Sequence, residues 1–309
     1  MVSLSDFDCP PTIVSMMIIW RYPAGAAGYK VPRKGFLMLI CATCAVERDE
    51  PTPDVCPICA DERQYVPEDG QQWLTLDEQA GAGRKIVLEQ NEPGLIAVST
   101  EPKTGIGQTA QLVVTPKGSL LWDPVGYVDD NAVAAVLEHG PVAAIAASHP
   151  HMFGVQVEWS RRLGNVPVLI AEADREWLGR SDPGVTYWSG STTIADGLAL
   201  HQTGGHFPGS AVAHWAAGAG GKGGVLLTGD TVFPNPDRRT VAFMRSYPNR
   251  LPLSGAVALR IAAQLEMLTF DRIYGNFNNV IDSGAKGVLH DSAQRHAAWT
   301  RGGDFDHLT

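Results

Sequence analysis

Residues 201–210 read His-Gln-Thr-Gly-Gly-His-Phe-Pro-Gly-Ser, and residues 226–230 read Leu-Leu-Thr-Gly-Asp. The first string sets His206 in a turn. Gly204, Gly205 and Gly209 supply backbone freedom there and Pro208 stiffness, which together aim one imidazole. The second string places Asp230 directly after an apolar run, Val225–Thr228, that reads as a buried strand. Upstream, residues 142–151 read Val-Ala-Ala-Ile-Ala-Ala-Ser-His-Pro-His. Residues i and i+2 of extended chain project from the same side, so His149 and His151 converge just past another buried strand. Alone, an H-x-H pair is a weak signal; the two later strings lift it. His201 lies within the strand before the turn, on the opposite parity to His206, so the two are not expected to share a volume.

Outward from these strings the chain alternates. Ile86–Leu88, Leu95–Ser99, Gln111–Thr115 and Ser119–Trp122 read as short strands punctuated by Pro-Gly and Pro-Lys-Gly turns. Later strands at Val142–Ala147, Val168–Ala171, Leu198–Thr203, Ala211–Trp215, Val225–Thr228 and Asp271–Tyr274 interleave with helices. Those helices are expected at Asp130–Glu138, Val155–Leu163, Asp174–Leu178, Ser254–Met267 and Ala285–Trp299. Sheets covered by helices follow from that order.

Taken together, the strings resemble the metallo-β-lactamase-fold hydrolase superfamily over roughly residues 90–300. That family carries H-x-H-x-D-H after a strand, then G-G-H-[ST]-P-G-[SH], a T-G-D strand end and a late histidine. The resemblance implies an α/β fold, an αββα sandwich, with His149, His151, His206 and Asp230 as metal ligands. The family's second-metal ligands are missing. Phe153 and Gly154 stand where its Asp and His would be, and the late strand end, Tyr274–Asn279, puts Asn276 roughly where its last histidine falls. A mononuclear site is the consequence. Three neutral imidazoles and a carboxylate suit Zn²⁺, with a water in the remaining position whose pKa the metal lowers towards 7. Asp230 either ligates or orients that water. The activity so implied is a zinc-dependent hydrolase attacking an ester, thioester or amide-type bond of a small molecule.

Other side chains are candidates for supporting roles. Glu158, on the helix after H-x-H, is a candidate proton acceptor in place of the lost carboxylate, although a solvated helix face is the plainer reading. Arg238, Arg239 and Tyr247, in the loop after Asp230, are candidates to meet an anionic substrate group, against the default of a surface charge run. Asn276 is placed to hydrogen-bond substrate or water. His214 reads as a strand histidine satisfied locally.

Four of the five cysteines, Cys41, Cys44, Cys56 and Cys59, fall in a C-x2-C-x11-C-x2-C pattern. Two such turns brought together give the tetrahedral sulfur set that Zn²⁺ prefers, and metal binding would supply most of the module's folding free energy. The pattern resembles a rubredoxin-like or zinc-ribbon module. A closed sulfur site leaves no open position for chemistry, so its role is structural or for contact with a protein partner. Zinc is the expected ion, with iron as the alternative at either site.

The chain of 309 residues is 44% hydrophobic and carries a net charge of −9, which excludes overall disorder and a nucleic-acid backbone binder. No apolar run approaches the length of a membrane span. Clustered cysteines in a chain with no secretory cleavage pattern point to a reducing, cytoplasmic compartment. The expected organisation is an N-terminal arm at 1–35, a zinc-ribbon module at 36–70 and a metallo-β-lactamase-like domain at 71–309. Two other classes compete. One is a mono-iron or rubredoxin-linked oxidoreductase, similar to flavodiiron proteins or persulfide dioxygenases; the other is a non-catalytic metal-binding protein on this fold.

Overall fold

Short apolar runs closed by tight turns build the chain's strands, and their alternation decides which layer each side chain joins. A computed structural model describes residues 37–302 and His307. The expected arm at 1–35 lies outside the described residues. The cysteine region forms β1 (Met38–Cys41), β2 (Glu47–Asp49), α1 (Pro57–Ala60) and β3 (Trp73–Leu74), with the three strands in one small antiparallel sheet. There follows α2 (Leu76–Gly81), opened by a capping box in which Thr75 and Glu78 satisfy each other's backbone N–H groups.

A seven-stranded sheet comes next. Its first four strands, β4 (Lys85–Glu92), β5 (Leu95–Glu101), β6 (Ala110–Val113) and β7 (Ser119–Trp122), pair antiparallel. The rest, β8 (Val142–Ala146), β9 (Val168–Ala171) and β10 (Val185–Trp188), add in parallel, with α3 (Asp130–Leu137) and α4 (Gln156–Arg162) in the crossovers. Asp129 starts α3 by accepting from the Ala132 N–H at 2.7 Å. The second sheet has six strands in the order β11-β12-β13-β14-β19-β20. These are β11 (Ser191–Ala195), β12 (Leu198–Gln202), β13 (Ala211–Trp215), β14 (Val225–Leu227), β19 (Arg272–Tyr274) and β20 (Val280–Ile281). Two hairpins, β15 (Phe233–Pro234) with β16 (Val241–Ala242) and β17 (Met244–Ser246) with β18 (Leu251–Pro252), lie between β14 and β19. Helices α5 (Gly255–Leu265) and α6 (Ala285–Arg301) complete the chain.

Strand parity explains the layering. Val113, Leu120 and Trp122 face the other sheet, whose Leu198, Leu200, Ala213 and Leu227 meet them in the central core. Their sequence neighbours Leu112 and Leu121 face outward, onto the layer that holds α3, α4 and the cysteine region. On the far sheet, Val212, Leu226 and Ile273 face α5 and α6. The result is an αββα sandwich.

The helical stretch expected at Asp174–Leu178 is a 3₁₀ helix, Glu172–Trp177. Strands β10 and β11 were not expected; the second is Ser/Thr-rich, and both are defined by their neighbours more than by their own apolar content. Residues 37–302 fall in one compact unit. Ile40, Val46, Ile58 and all four cysteines share a core with Val125, Phe153 and Trp159 of the sandwich. Among the described residues, no helix is long and apolar enough to cross a membrane.

Candidate metal centre

Four side chains converge at one end of the sandwich, each from a loop that follows a strand. β8 ends at Ala146; Ser148 and His149 follow, and a 3₁₀ turn at Pro150–Met152 brings His151 back beside His149. β12 leads into the turn that carries His206, and β14 into Thr228-Gly229-Asp230. One ligand atom from each of His149, His151, His206 and Asp230 lies within 4.8 Å of all the others, and all four residues are buried. Asp230 Oδ2 sits 3.6 Å from both His149 Nε2 and His206 Nε2. His151 presents Nδ1, 3.3 Å from His206 Nε2.

Neighbouring groups orient the imidazoles. His149 Nδ1 lies 2.9 Å from Ser148 Oγ, which in turn donates to Asp123 Oδ2 at 3.1 Å, while the Ser148 N–H donates to Asp123 Oδ1 at 2.6 Å. That chain assigns the proton to Nδ1 and leaves Nε2 bare towards the centre. His206 Nδ1 donates to the Met244 carbonyl at 3.0 Å, with the same effect. Gly229 makes the convergence sterically possible, since a Cβ there would stand 2.2 Å from Ser148 Oγ and 2.9 Å from His149 Nδ1.

The donor set fits a divalent cation. His149 Nε2, the atom turned to the centre, is buried with no hydrogen-bond partner among the described residues. Burial holds His206 down at about 4 and His151 well below the usual imidazole range, helped in each case by the neighbouring histidines. At Asp230 burial opposes ionisation, but His149, His206 and His151 outweigh it and hold the carboxyl below its usual value. Neutral imidazoles beside an ionised carboxylate are the ligating forms. Burial lifts Asp123, one step back, to about 7 against the pull of His149 and Ser148.

The positions of the missing ligands are closed. Phe153 is buried in the outer core. At Gly154 a Cβ would lie 2.0 Å from the Pro124 carbonyl oxygen, so no side chain fits. Asn276 stands beside Asp230 and donates from Nδ2 to Asp230 Oδ1 at 2.9 Å, with Met152 Sδ at 3.1 Å on the same amide. The carboxylate oxygen not turned to the imidazoles is thus taken by an amide.

The remaining candidates divide. Tyr247 borders the site: its hydroxyl donates to the Asp230 carbonyl at 3.0 Å and its ring centroid is 6.4 Å from that of His206. Glu158 is not at the centre; it accepts from Arg162 at 3.0 Å and Arg180 at 3.2 Å, where the helix turns it towards the β2 region. Arg238 is exposed and pairs with Asp282 at 2.7 Å, and Arg239 is an exposed residue of the same turn. His201 sits opposite His214, ring centroids 6.2 Å apart, away from the metal centre. Asp123, Ser148 and Arg63 were not anticipated. Asp123 carried a readable signal: it follows Leu120-Leu121-Trp122 as Asp230 follows Leu226-Leu227-Thr228-Gly229, a carboxylate just past a buried strand.

The four cysteines form the second donor group. Their thiols are free and buried, with Cys41 Sγ 3.6 Å from Cys59 Sγ and Cys44 Sγ 3.8 Å from Cys56 Sγ. Hydrogen bonds from its three neighbours hold the Cys41 thiol far below the usual range, while hydrogen bonding to Cys41 pushes Cys44 up. Four thiolates this close would repel one another, and a bound cation would offset that repulsion.

Fold and site together define the protein's class. The family model of the metallo-β-lactamase superfamily matches residues 104–275, more than half of the chain, and the protein belongs to that superfamily. The uncharacterized protein YmaE of Bacillus subtilis (strain 168) is 41% identical over 261 residues, 83% of this chain and 94% of its own length. Among solved structures, DIM-1 metallo-β-lactamase aligns with a TM-score of 0.52 at 10% identity over 68% of this chain and 98% of its own. VMB-1 aligns at 0.51 and 12% identity, over 69% and 96%. At that identity the two show the shared fold.

Proposed function

We propose that the protein is a zinc-dependent hydrolase with a single metal at His149, His151, His206 and Asp230, and a structural zinc at Cys41, Cys44, Cys56 and Cys59. The observation that carries this reading is the convergence of three imidazole nitrogens and one carboxylate oxygen in a buried site, with Phe153, Gly154 and Asn276 standing at the family's further ligand positions. Bound there, zinc supplies a Lewis acid and lowers the pKa of a coordinated water towards 7. The chain's own residues do the rest. Ser148 and Asp123 hold His149 in one tautomer, and the Met244 carbonyl does the same for His206. Asn276 holds Asp230 by one oxygen and leaves the other facing the imidazoles. Tyr247, kept protonated by burial and by Asp230, forms one wall with Phe233. The proposed substrate is a small molecule with an ester, thioester or amide-type bond, handled in the cytoplasm; nucleic acid and membrane are not proposed partners.

Element analysis of the purified protein, followed by a hydrolysis screen over activated esters, thioesters and amides, tests this. Zinc at about two per chain with turnover lost in His206→Ala is expected. Iron at the histidine centre, or turnover that survives His206→Ala, overturns it.

A further inference from the structure

Each cysteine pair is followed, within four residues, by a side chain that leaves the module and grips a loop bearing the histidines. Three residues past Cys44, the Glu47 backbone N–H donates to the Gly154 carbonyl at 3.0 Å. The Glu47 carboxylate accepts from the N–H groups of Val157 and Glu158 and from Arg180 at 2.7 Å, so it seats the start of α4 just beyond His151. Four residues past Cys59, Arg63 reaches the other loop. Its Nε donates to the His206 carbonyl at 2.6 Å, and its guanidinium lies 4.2 Å above the Phe207 ring. That ring in turn touches all three imidazoles, with centroids 5.8 Å from His149, 5.0 Å from His151 and 5.2 Å from His206. Asp61, at 2.6 Å from Nη1, keeps the guanidinium from swinging.

The backbone of the same segment holds a second support. The Arg63 carbonyl accepts from Ser246 Oγ at 3.1 Å, and the Glu62 and Gln64 carbonyls accept from Asn249 Nδ2 at 2.9 and 3.2 Å. Those contacts seat β17, whose Met244 carbonyl fixes the His206 tautomer. His206 is therefore held from both ends by one short stretch of the cysteine module: at its own carbonyl by Arg63, and at Nδ1 through β17. Helix α1, a single turn with no side-chain cap, does not hold that stretch by itself. Just before it, Cys59 and Cys56 lie beside Cys41 and Cys44, 3.6 and 3.8 Å apart at sulfur.

We propose that the four-cysteine module is the positioning device of the histidine centre, with Arg63 as its principal positioning residue, so that metal occupancy at the cysteines raises metal affinity at the histidines. This rests on the reading that the histidine group binds a metal. The coupling is reciprocal, because two sites linked through one structure change each other's affinity by the same factor. Removing a residue that orients a metal ligand from behind typically weakens metal binding about 10- to 100-fold.

Cobalt(II) titration of the metal-free full chain separates the two sites, since sulfur-to-cobalt charge-transfer bands report the cysteines alone, and ligand-field absorbance that grows with no matching gain in charge transfer reports the second ion. In Arg63→Ala the charge-transfer bands should saturate as in the unsubstituted protein, while the second cobalt binds about 10- to 100-fold more weakly. Arg63→Lys keeps a donor for the His206 carbonyl and should recover part of that loss. An Arg63→Ala protein that binds the second cobalt as tightly as the unsubstituted one, whatever its Tm, overturns the proposal and leaves the metal-centre reading standing. Should Arg63→Ala not fold, an unchanged second affinity in Arg63→Met, which keeps the apolar stem but donates nothing to the His206 carbonyl, has the same consequence. If the unsubstituted protein takes up cobalt only at the cysteines, the metal-centre reading itself fails and the proposal with it.

Discussion

The two donor groups are assembled in opposite ways. The cysteines come from one stretch, 41–59, joined by short turns, and their sulfurs lie in the outer core beside Ile40, Val46 and Ile58. The histidines and Asp230 come from three strand ends in two different sheets, brought to one place by the sandwich itself. A ligand group gathered by sheets exists before a cation arrives, because strand pairing and core packing position it. The cysteine group shares the outer core with the sandwich, but its sulfurs are gathered by one short stretch of chain, so a cation there would contribute to folding. On the proposed reading, a cation at the cysteines would contribute stability and one at the histidines chemistry.

The largest test of that contrast is Cys56→Ser. With one sulfur gone the module loses its closing ligand; the protein should hold one fewer metal ion and lose about 10 °C or more in Tm, a loss of several kcal/mol. A melting curve and zinc count unchanged from the parent would erase the contrast.

His206→Ala should do the reverse. The histidine centre should empty while the fold survives, at a cost of about 1–3 kcal/mol from the abandoned Met244 carbonyl and the lost contacts around a fully buried ring. His201→Ala should leave both metal counts unchanged. If His201→Ala empties the centre and His206→Ala does not, the alignment of the strings is wrong.

A finer effect is expected at Asn276. Replacing it by Ala frees Asp230 Oδ1 from its amide partner, and affinity at the histidine centre should fall about 10-fold with the cysteine metal untouched. Uptake of a second ion at that centre by the unsubstituted protein, at the roughly 3.5–4 Å spacing of two-metal sites, would show that Asn276 does not close it.

The smallest expected effect is a slope. Burial lifts the Glu47 carboxyl to about 7, against the pull of Arg180 and the Val157 N–H and with Glu158 pushing the same way. Arg180 also meets Asp49. Because the folded protein holds this proton more tightly than the unfolded chain, the group's stabilising contribution is complete below about pH 4.5 and is lost as pH rises through about 7. Glu47→Gln removes the titration, so the stability advantage of the parent over the variant should shrink between pH 5 and 8. A constant difference in denaturant midpoint across that range would show that Glu47 does not titrate there.

The histidine centre was legible because its ligands sit in local strings. H-x-H, G-G-H and T-G-D each name a residue and, through strand parity or turn geometry, its direction. The strands of both sheets were legible as apolar runs, apart from β10, β11 and β20, which owe their strand state to pairing with β9, β12 and β19. Arg63 was invisible for a different reason. Its partner, the His206 carbonyl, is a backbone group, and no side-chain pattern advertises which carbonyl a distant arginine will reach. Glu158 misled because its position one helix after H-x-H suggested proximity; the helix directs it towards Arg180.

Gly154 carries a consequence for how such a centre can change. The Pro124 carbonyl oxygen occupies the space where a side chain at 154 would begin. A codon change to histidine there would create a clash, since an imidazole cannot be added without first moving the loop that follows β7. Asn276, by contrast, could be exchanged at one position. Routes from one cation to two are therefore gated by backbone, and a directed-evolution search that varies side chains alone should recover the Asn276 step and stall at the other.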